Sequence, residues 1–329
     1  MIGSIVHFAL EGARLNALVV AVIELRLCEH LAAGPATAAE LAQRAKISPR
    51  GCQAIADGMV GLKLWSIDAG RYANTNAAAK WLVPSSPDYV GDEHPALLRD
   101  WLPMFARITT LVADGKPAYP ADSPEMHALW AHMTPMLARK GTQPVRDGLA
   151  MVGAERNAPH LLDVGGGARA LYSSAVLALN PSARATQADW PHINHEARAT
   201  VEAAGHGGRF STLDGDFHGT DFGEARFDIV VLSHIIHQES PDSNREILRR
   251  AARALRPGGS VLISDWVVAD GRTGPPSSLL FNLTMLLLSD EGKSYERAEI
   301  RQILLDSGFG EATFADSADW ATLATAVKR

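Results

Sequence analysis

The sequence predicts an α/β chain in which a mostly parallel sheet of seven strands, covered by helices on both faces, follows a mostly α-helical unit built like a winged helix. Three observations predict it. The chain has 329 residues, more than one hydrophobic core usually organises, since single cores stop growing near about 250–300 residues. From His160 onward short apolar runs alternate with helical stretches, the pattern of a parallel sheet with helices packed on it. Before that, residues 1–90 read as helix, turn, helix and hairpin.

The first helix carries Leu15, Leu18, Val19, Val22, Ile23 and Leu25 at helical spacing without leaving a clean polar face, so it needs cover on several sides, a second subunit included. Thr37 and Glu40 have the spacing of a capping box, each side chain satisfying a free backbone N–H at a helix start. Ser48 followed by Pro49 opens a third helix toward Leu62. The runs at 64–67 and 71–73 flank an Asp68-Ala69-Gly70 turn and form a strand pair.

Pro84, Pro87, Gly91 and Pro95 mark a linker. Residues 91–152 are expected to form connecting helices, over about 96–112 and 123–152, and residues 153–329 a ligand-binding α/β domain. Trp130 and Met133 lie on the second of these helices, as core or as an adaptable apolar wall, for which methionine is well suited. Strands are expected over 161–164, 185–188, 210–213, 227–232, 260–264, 311–314 and 322–327. Helices are expected around 170–179, 193–204, 243–255 and 295–306. Ser243 to Glu246 reads as a second capping box, and Pro257-Gly258-Gly259 as a stop and turn.

Composition narrows the function. Lys plus Arg number 31 against 37 Asp plus Glu, a net charge of −6, so no basic field attracts nucleic acid or anionic lipid. The recognition helix of a DNA-binding winged helix would be 49–62, and it carries cations only at its ends, Arg50 and Lys63. Two cysteines, Cys28 and Cys52, make no disulfide framework and fit the cytoplasm. His7, Glu11, Arg14 and Glu24 interrupt the apolar N-terminal stretch, which is therefore expected neither to span a membrane nor to act as an export signal.

The chemistry concentrates after the first strand of the α/β part. Asp163-Val164-Gly165-Gly166-Gly167 places a glycine turn at a strand's carboxyl end, where bare backbone lets a cofactor approach. Gly165, Gly167 and Ala170 with Asp189 also satisfy a relaxed dinucleotide pattern, so an NAD(P) oxidoreductase stays open on this ground. Asp163 argues against it, because a carboxylate so close repels a pyrophosphate and suits an ammonium group. Gly215-Asp216-Phe217 offers an acceptor for an adenine amino group and a ring to pack on its face.

Those motifs, with Asp189-Trp190-Pro191, His237 and Leu255-Arg256-Pro257-Gly258-Gly259 in the same order, resemble the class I small-molecule O-methyltransferases of plants and bacteria. The resemblance covers nearly the whole chain. It implies a Rossmann-like seven-stranded methyltransferase domain behind a winged-helix dimerisation domain, a homodimer, S-adenosylmethionine as cofactor, and a small aromatic or polyketide-like acceptor. It implies cofactor contacts from Gly165, Gly167, Asp189, Trp190, Asp216, Phe217 and Ser233, to which the argument above adds Asp163.

By the same resemblance His237 is the general base and Asp265 its orienting carboxylate, while Asn282 and Met285 join Trp130 and Met133 around the acceptor. Phe281 and Leu286 lie on the same capping helix. A metal is not expected: His234 precedes His237 by one helical turn, but no third ligand follows at a suitable spacing, and His234 reads as solvent-facing or capping.

The sequence departs from the family at three places. Arg169 replaces the last glycine of the turn, where its guanidinium either obstructs the cofactor or grips its carboxylate. Gln238 stands in place of Asp, and Ser294 in place of a second orienting glutamate, with Glu296 out of register. A base held by one carboxylate leaves room for methylation at an activated carbon, as in an α-keto acid, or for non-methylating chemistry on the same fold. A winged-helix regulator with a degenerate cofactor domain is the remaining alternative.

Overall fold

The structure, a computed structural model, describes residues 2–91, 102–119, 123, 125, 142–318 and 321–329. The chain divides into two compact units, Met1–Pro103 and Met104–Arg329.

The first unit runs α1 (Ile2–Glu24), α2 (Leu27–Ala32), α3 (Ala38–Ala45), α4 (Pro49–Gly61), β1 (Trp65–Asp68), β2 (Arg71–Asn74) and α5 (Asn76–Leu82). Thr37 Oγ1 accepts from Glu40 N at 3.2 Å while Glu40 Oε2 accepts from Thr37 N at 2.8 Å, the expected reciprocal cap. Ser48 Oγ accepts from Gly51 N at 3.0 Å to start α4. Asp68 pairs with Arg71 across a two-residue turn. Its residues, Ala69 (φ 45°) and Gly70 (φ 75°), take the left-handed backbone that matches strand twist in a tight hairpin. Leu27, Leu31, Leu41, Ala56, Met59 and Trp65 close the core. On α1, Val22 and Ile23 are buried while Leu10 and Leu15 are exposed.

The helix expected over 96–112 is broken within its described part. Residues 102–106 are helical, and Arg107, at φ −89° and ψ 1°, leaves the helical region before α6 (Ile108–Asp114). The helix expected over 123–152 lies largely outside the described residues and ends as α7 (Thr142–Met151).

The sheet follows: β3 (His160–Val164), α8 (Leu171–Leu179), β4 (Arg184–Asp189), α9 (Pro191–Ala203), β5 (Phe210–Asp214), β6 (Phe227–Ser233), α10 (Pro241–Ala254), β7 (Leu255–Asp265), α11 (Pro276–Leu288), α12 (Arg297–Asp306), β8 (Thr313–Ala318) and β9 (Ala321–Val327). Strand order is β5-β4-β3-β6-β7-β9-β8, parallel from β5 to β7, with β9 antiparallel to both β7 and β8.

Side-chain alternation along the strands feeds two cores. Leu162, Val164, Val230, Leu232, Val261 and Ile263 meet α10 and α12 on one face. Leu161, Ala185, Ile229, Val231 and Leu262 meet α7, α8 and α9 on the other. The chain leaves β3 first toward β4 and later toward β6, so the crevice at the carboxyl ends of β3 and β6 is the topological switch point where ligands of such sheets bind.

Two local expectations are corrected. The cap of α10 is Ser240, whose Oγ accepts from Ser243 N at 3.2 Å. Pro241 occupies the first helical position, where its preset φ begins the helix before Ser243 could cap it. Pro257-Gly258-Gly259 does not end a segment: Leu255 already pairs with Phe227 and Ser260 with Ile229, so residues 256–259 bulge opposite Asp228 within one strand.

Candidate active site

The glycine turn leaves β3 with Gly165 at φ 65° and Gly167 at φ 70°, conformations costly for residues with a Cβ. It is tied to the next strand. Asp189, at the end of β4, accepts from Gly167 N through Oδ2 at 2.9 Å and from Trp190 N through Oδ1 at 2.8 Å. Burial pushes the Asp189 carboxyl above its ordinary range, and the two backbone donors oppose that rise. Each carboxylate oxygen retains a second lone pair for a ligand hydroxyl. Trp190 itself is 42% exposed.

Asp163 lies beneath the turn and is 1% exposed. Its Oδ2 accepts from Ser173 N at 3.1 Å and Ser173 Oγ at 2.9 Å, whereas Oδ1 is buried without a partner. Burial, chiefly, pushes its pKa up to about 6. Gln187 Oε1 is a second buried acceptor without a partner. A Cβ on Gly166 would stand 2.5 Å from that oxygen and 2.8 Å from the Asp163 carboxyl carbon and Oδ2, so the Gln187 amide and the Asp163 carboxylate lie side by side under one glycine. Unmet buried acceptors cost free energy, and a ligand donor reaching them would relieve that cost.

A Cβ on Gly165 would stand 2.4 Å from Ile235 Cδ1 and 3.6 Å from the Phe217 ring. Gly165 therefore lets Ile235, which follows β6, pack directly on its bare backbone, with Phe217, which follows β5, beside it. Asp216, beside Phe217, receives His218 N and Nδ1 on its Oδ1. Ser233 ends β6 opposite Ser264. Arg169 is exposed, and Ala170 (φ 44°) rather than residue 169 carries the left-handed backbone before α8. Taken together, these residues fit a nucleoside that carries an ammonium group.

His237 follows β6 in a turn of 3-10 helix (Ile236–Gln238). Its Nδ1 is 2.5 Å from Asp265 Oδ1, and both side chains are buried. Asp265 is itself fixed: Oδ2 accepts from His237 N at 3.3 Å and Oδ1 from Trp266 N at 2.7 Å. Burial raises the Asp265 carboxyl, but the charge and hydrogen bond of His237 outweigh it and hold the group below its ordinary range.

The turn is pinned on all sides. Asn244 Nδ2 donates to Ile236 O at 2.9 Å, Gln238 Nε2 to His234 O at 2.6 Å, Ser289 Oγ to Gln238 O at 2.8 Å, and Tyr295 Oη to Glu239 O at 2.6 Å.

The expectation for His234 is corrected. Its N–H donates to Ser264 O at 2.9 Å, prolonging the sheet by one residue, and its φ of 58° then turns the chain. It therefore lies on no helix. Its ring stands edge-on to that of His237 with centroids 6.0 Å apart, and burial lowers its pKa to about 4.

Asp265 completes the group that linear spacing missed: ligand atoms of His234, His237 and Asp265 all lie within 4.8 Å of one another. The shortest link is the 2.5 Å hydrogen bond. Two nitrogen or oxygen ligands of one cation at about 2.0–2.2 Å each stand roughly 3 Å or more apart, so the arrangement seen is that of a hydrogen-bonded pair.

On the acceptor side, the Phe281 ring meets His237 edge-on at 5.0 Å and 89°, and Trp266 stacks on Phe281 at 4.5 Å and 11°. Trp266 escaped the sequence reading, although its position directly after Asp265 was a usable signal. Met285 is 1% exposed. Asn282 spends its amide locally, accepting from Ser294 N at 3.0 Å and donating to Leu279 O at 3.2 Å. Ser294 is fully buried, with its hydroxyl unpaired, while Glu296 caps α12. Trp130 and Met133 lie outside the described residues.

A family model described as an O-methyltransferase domain matches residues 144–310, and another described as an O-methyltransferase dimerisation domain matches residues 9–84. The 3-hydroxy-5-methyl-1-naphthoate 3-O-methyltransferase of Streptomyces sahachiroi is 34% identical over 296 residues, 88% of this chain and 85% of its own. The tetracenomycin polyketide synthesis 8-O-methyl transferase TcmO of Streptomyces glaucescens is 29% identical, covering 88% and 86%. The solved structure of human N-acetylserotonin methyltransferase in complex with S-adenosylmethionine superposes with a TM-score of 0.85 over 100% of this chain and 98% of that one, at 21% identity.

Proposed function

Because the chain belongs to the O-methyltransferase family and carries that family's dimerisation domain, we propose that it moves a methyl group from S-adenosylmethionine to a hydroxyl of a small aromatic or polyketide-like molecule, with His237 as general base. The observation that carries this reading is the buried His237–Asp265 pair beside the glycine turn. The domain match replaces the dinucleotide and regulator alternatives.

When bound, the cofactor supplies an electrophilic methyl on a positive sulfur. The chain's own residues bind, aim and deprotonate. Asp163 and Gln187 take the ammonium group, Asp189 the ribose hydroxyls, and Asp216 with Phe217 the adenine, while Gly165, Gly167, Trp190 and Ser233 line the cofactor site. Asp265 accepts from His237 Nδ1–H, which fixes the tautomer that turns the lone pair of Nε2 toward the acceptor hydroxyl, and it stabilises the imidazolium once the proton has moved. Positioning does most of the remaining work.

Phe281 and Trp266 stack into an aromatic wall beside the base, with Met285 and Asn282 on the helix of Phe281; Trp130 and Met133, assigned to the acceptor site from the sequence, lie outside the described residues. A planar acceptor packs well on such a wall, and the naphthoate and tetracenomycin named for the two bacterial relatives are of that class.

Residues 1–90 serve dimerisation, 91–152 link and wall the acceptor site, and 153–329 hold the cofactor. Exposed Leu10 and Leu15 on α1 support a homodimer. Among the described residues no helix is long and apolar enough to cross a membrane; a cytoplasmic location without nucleic-acid partners is our reading of the net charge of −6 and the two cysteines.

The test uses methyl-labelled S-adenosylmethionine with hydroxynaphthoates and polyketide phenols. Label recovered as an aryl methyl ether supports the reading. Label found on carbon, or no cofactor binding by calorimetry at millimolar concentration, overturns it.

A further inference from the structure

The turns that follow β5 and β6 are joined through one side chain. His218 lies directly after Phe217. Its Nδ1 is 2.6 Å from Asp216 Oδ1, its Nε2 is 3.0 Å from Glu239 Oε2, and its ring packs on Phe217 with centroids 4.5 Å apart. Glu239 stands two residues past His237.

Both ends of this bridge are anchored. Ser243 Oγ donates to the same Glu239 Oε2 at 2.5 Å, and Tyr295 Oη holds the Glu239 carbonyl. On the other side, Arg250 Nη1 donates to Phe217 O at 2.7 Å and Thr220 O at 3.0 Å. An imidazole with a carboxylate at each nitrogen is an imidazolium donating from both. The Glu239 side chain is 13% exposed, against 47% for His218 and 44% for Asp216, so the shielded bond is the stronger half of the bridge.

We propose that His218 is a positioning residue that couples the cofactor subsite to the turn carrying His237. Holding Asp216 by Oδ1 leaves Oδ2 aimed at the adenine amino group and sets the Phe217 ring. Gripping Glu239 ties that setting to the backbone of the base. The inference rests on the reading above that Asp216 and Phe217 receive the adenine. Its physical content is preorganisation: a half-exposed turn beginning at Gly215 (φ 151°) would otherwise lose freedom on binding.

The experiment is calorimetric titration of the full chain with S-adenosylhomocysteine, together with KM and kcat for S-adenosylmethionine. His218→Phe keeps the stacked ring and removes both donors. Glu239→Gln, on the other turn, keeps an acceptor for Ser243 and removes the charge. His218→Phe is expected to weaken S-adenosylhomocysteine about 10-fold and to raise KM by a similar factor with kcat within about threefold. Glu239→Gln should weaken it by a smaller factor of roughly three, and the double variant should be no worse than His218→Phe alone.

Unchanged affinity in both variants, strictly additive effects, or a fall in kcat that tracks melting temperature with KM unmoved overturns the proposal. If His218→Phe does not fold, Glu239→Gln decides alone by the same affinity criterion. If the unaltered chain binds no S-adenosylhomocysteine, the cofactor reading itself fails. If it binds and the variants bind equally, only the coupling fails.

Discussion

Asp265 Oδ1 lies 2.5 Å from His237 Nδ1 in a site where both side chains are buried. The contact uses Nδ1 and leaves Nε2 as the nitrogen proposed to act on the acceptor. Replacing His237 by Ala removes the proposed base and changes no residue of the glycine turn, Asp189 or Asp216. Turnover should fall by at least about 100-fold, as loss of a general base commonly causes. Affinity for S-adenosylhomocysteine should stay within about twofold. Unchanged turnover in a steady-state assay would remove His237 from the proton transfer.

Asp265→Asn keeps the shape of the partner and loses its charge. An Asn amide can present its nitrogen to Nδ1, which favours the tautomer with the proton on Nε2, the wrong one for a base. We expect kcat to drop by about 100-fold or more with KM for the acceptor little changed. Imidazole nitrogen shifts in an isotope-labelled sample check the tautomer directly. A wild-type pattern in the variant would mean that Asp265 does not set it.

How much of this was legible in the sequence depends on whether the signal is periodic or spatial. The expected strands overlap every strand of the large sheet, most closely β3 and β6, whose buried parallel runs are almost continuously apolar, and least β8, expected over 311–314 and formed by Thr313–Ala318; the glycines marked the 165–167 turn. His237 and Asp265 were legible only through resemblance, since 28 positions separate them and only the β6–β7 pairing brings them together. His234 was misread because helical spacing was assumed where its backbone is left-handed. Nothing in residue order shows that His218 reaches Glu239, and the acceptors of Asp163 and Gln187 meet only because β3 and β4 pair in register.

The His218 bridge also sets a pH dependence. Its bonds to Glu239 first, and to Asp216, raise its pKa to about 9 from 6.5, against opposing burial. Asp216 and Glu239 face its ring, and Arg250 stands behind the turn. A raised histidine pKa adds stability that is complete below about pH 6.5 and is lost as pH climbs through about 9. With the ring 47% exposed, solvent screening keeps the gain small. The melting-temperature gap between the unaltered chain and His218→Phe should therefore be steady from pH 5 to 6.5, shrink between about pH 6.5 and 9, and level off above that. A gap constant up to pH 10 would contradict an imidazolium at this position.

Asp163 runs the opposite way. Its folded pKa of about 6 exceeds the ordinary 3.8, so ionisation opposes folding: stability from this group is full below about pH 4 and declines as pH rises through 6. A shift of this size corresponds to roughly 3 kcal/mol at most, of which Asp163→Asn should recover about 1–2 kcal/mol at pH 7, since its carbonyl can still accept from Ser173. That raises the melting temperature of the cofactor-free chain by about 2–6 °C, an advantage that vanishes as the scan is moved toward pH 4. The same change removes the anion proposed to face the ammonium group, and S-adenosylhomocysteine should bind about 10-fold more weakly. Calorimetric melting and titration of one pair of proteins test both halves. A variant that is less stable at pH 7, or that binds as tightly as before, would show that the buried Asp163 carboxylate is not the ammonium's partner.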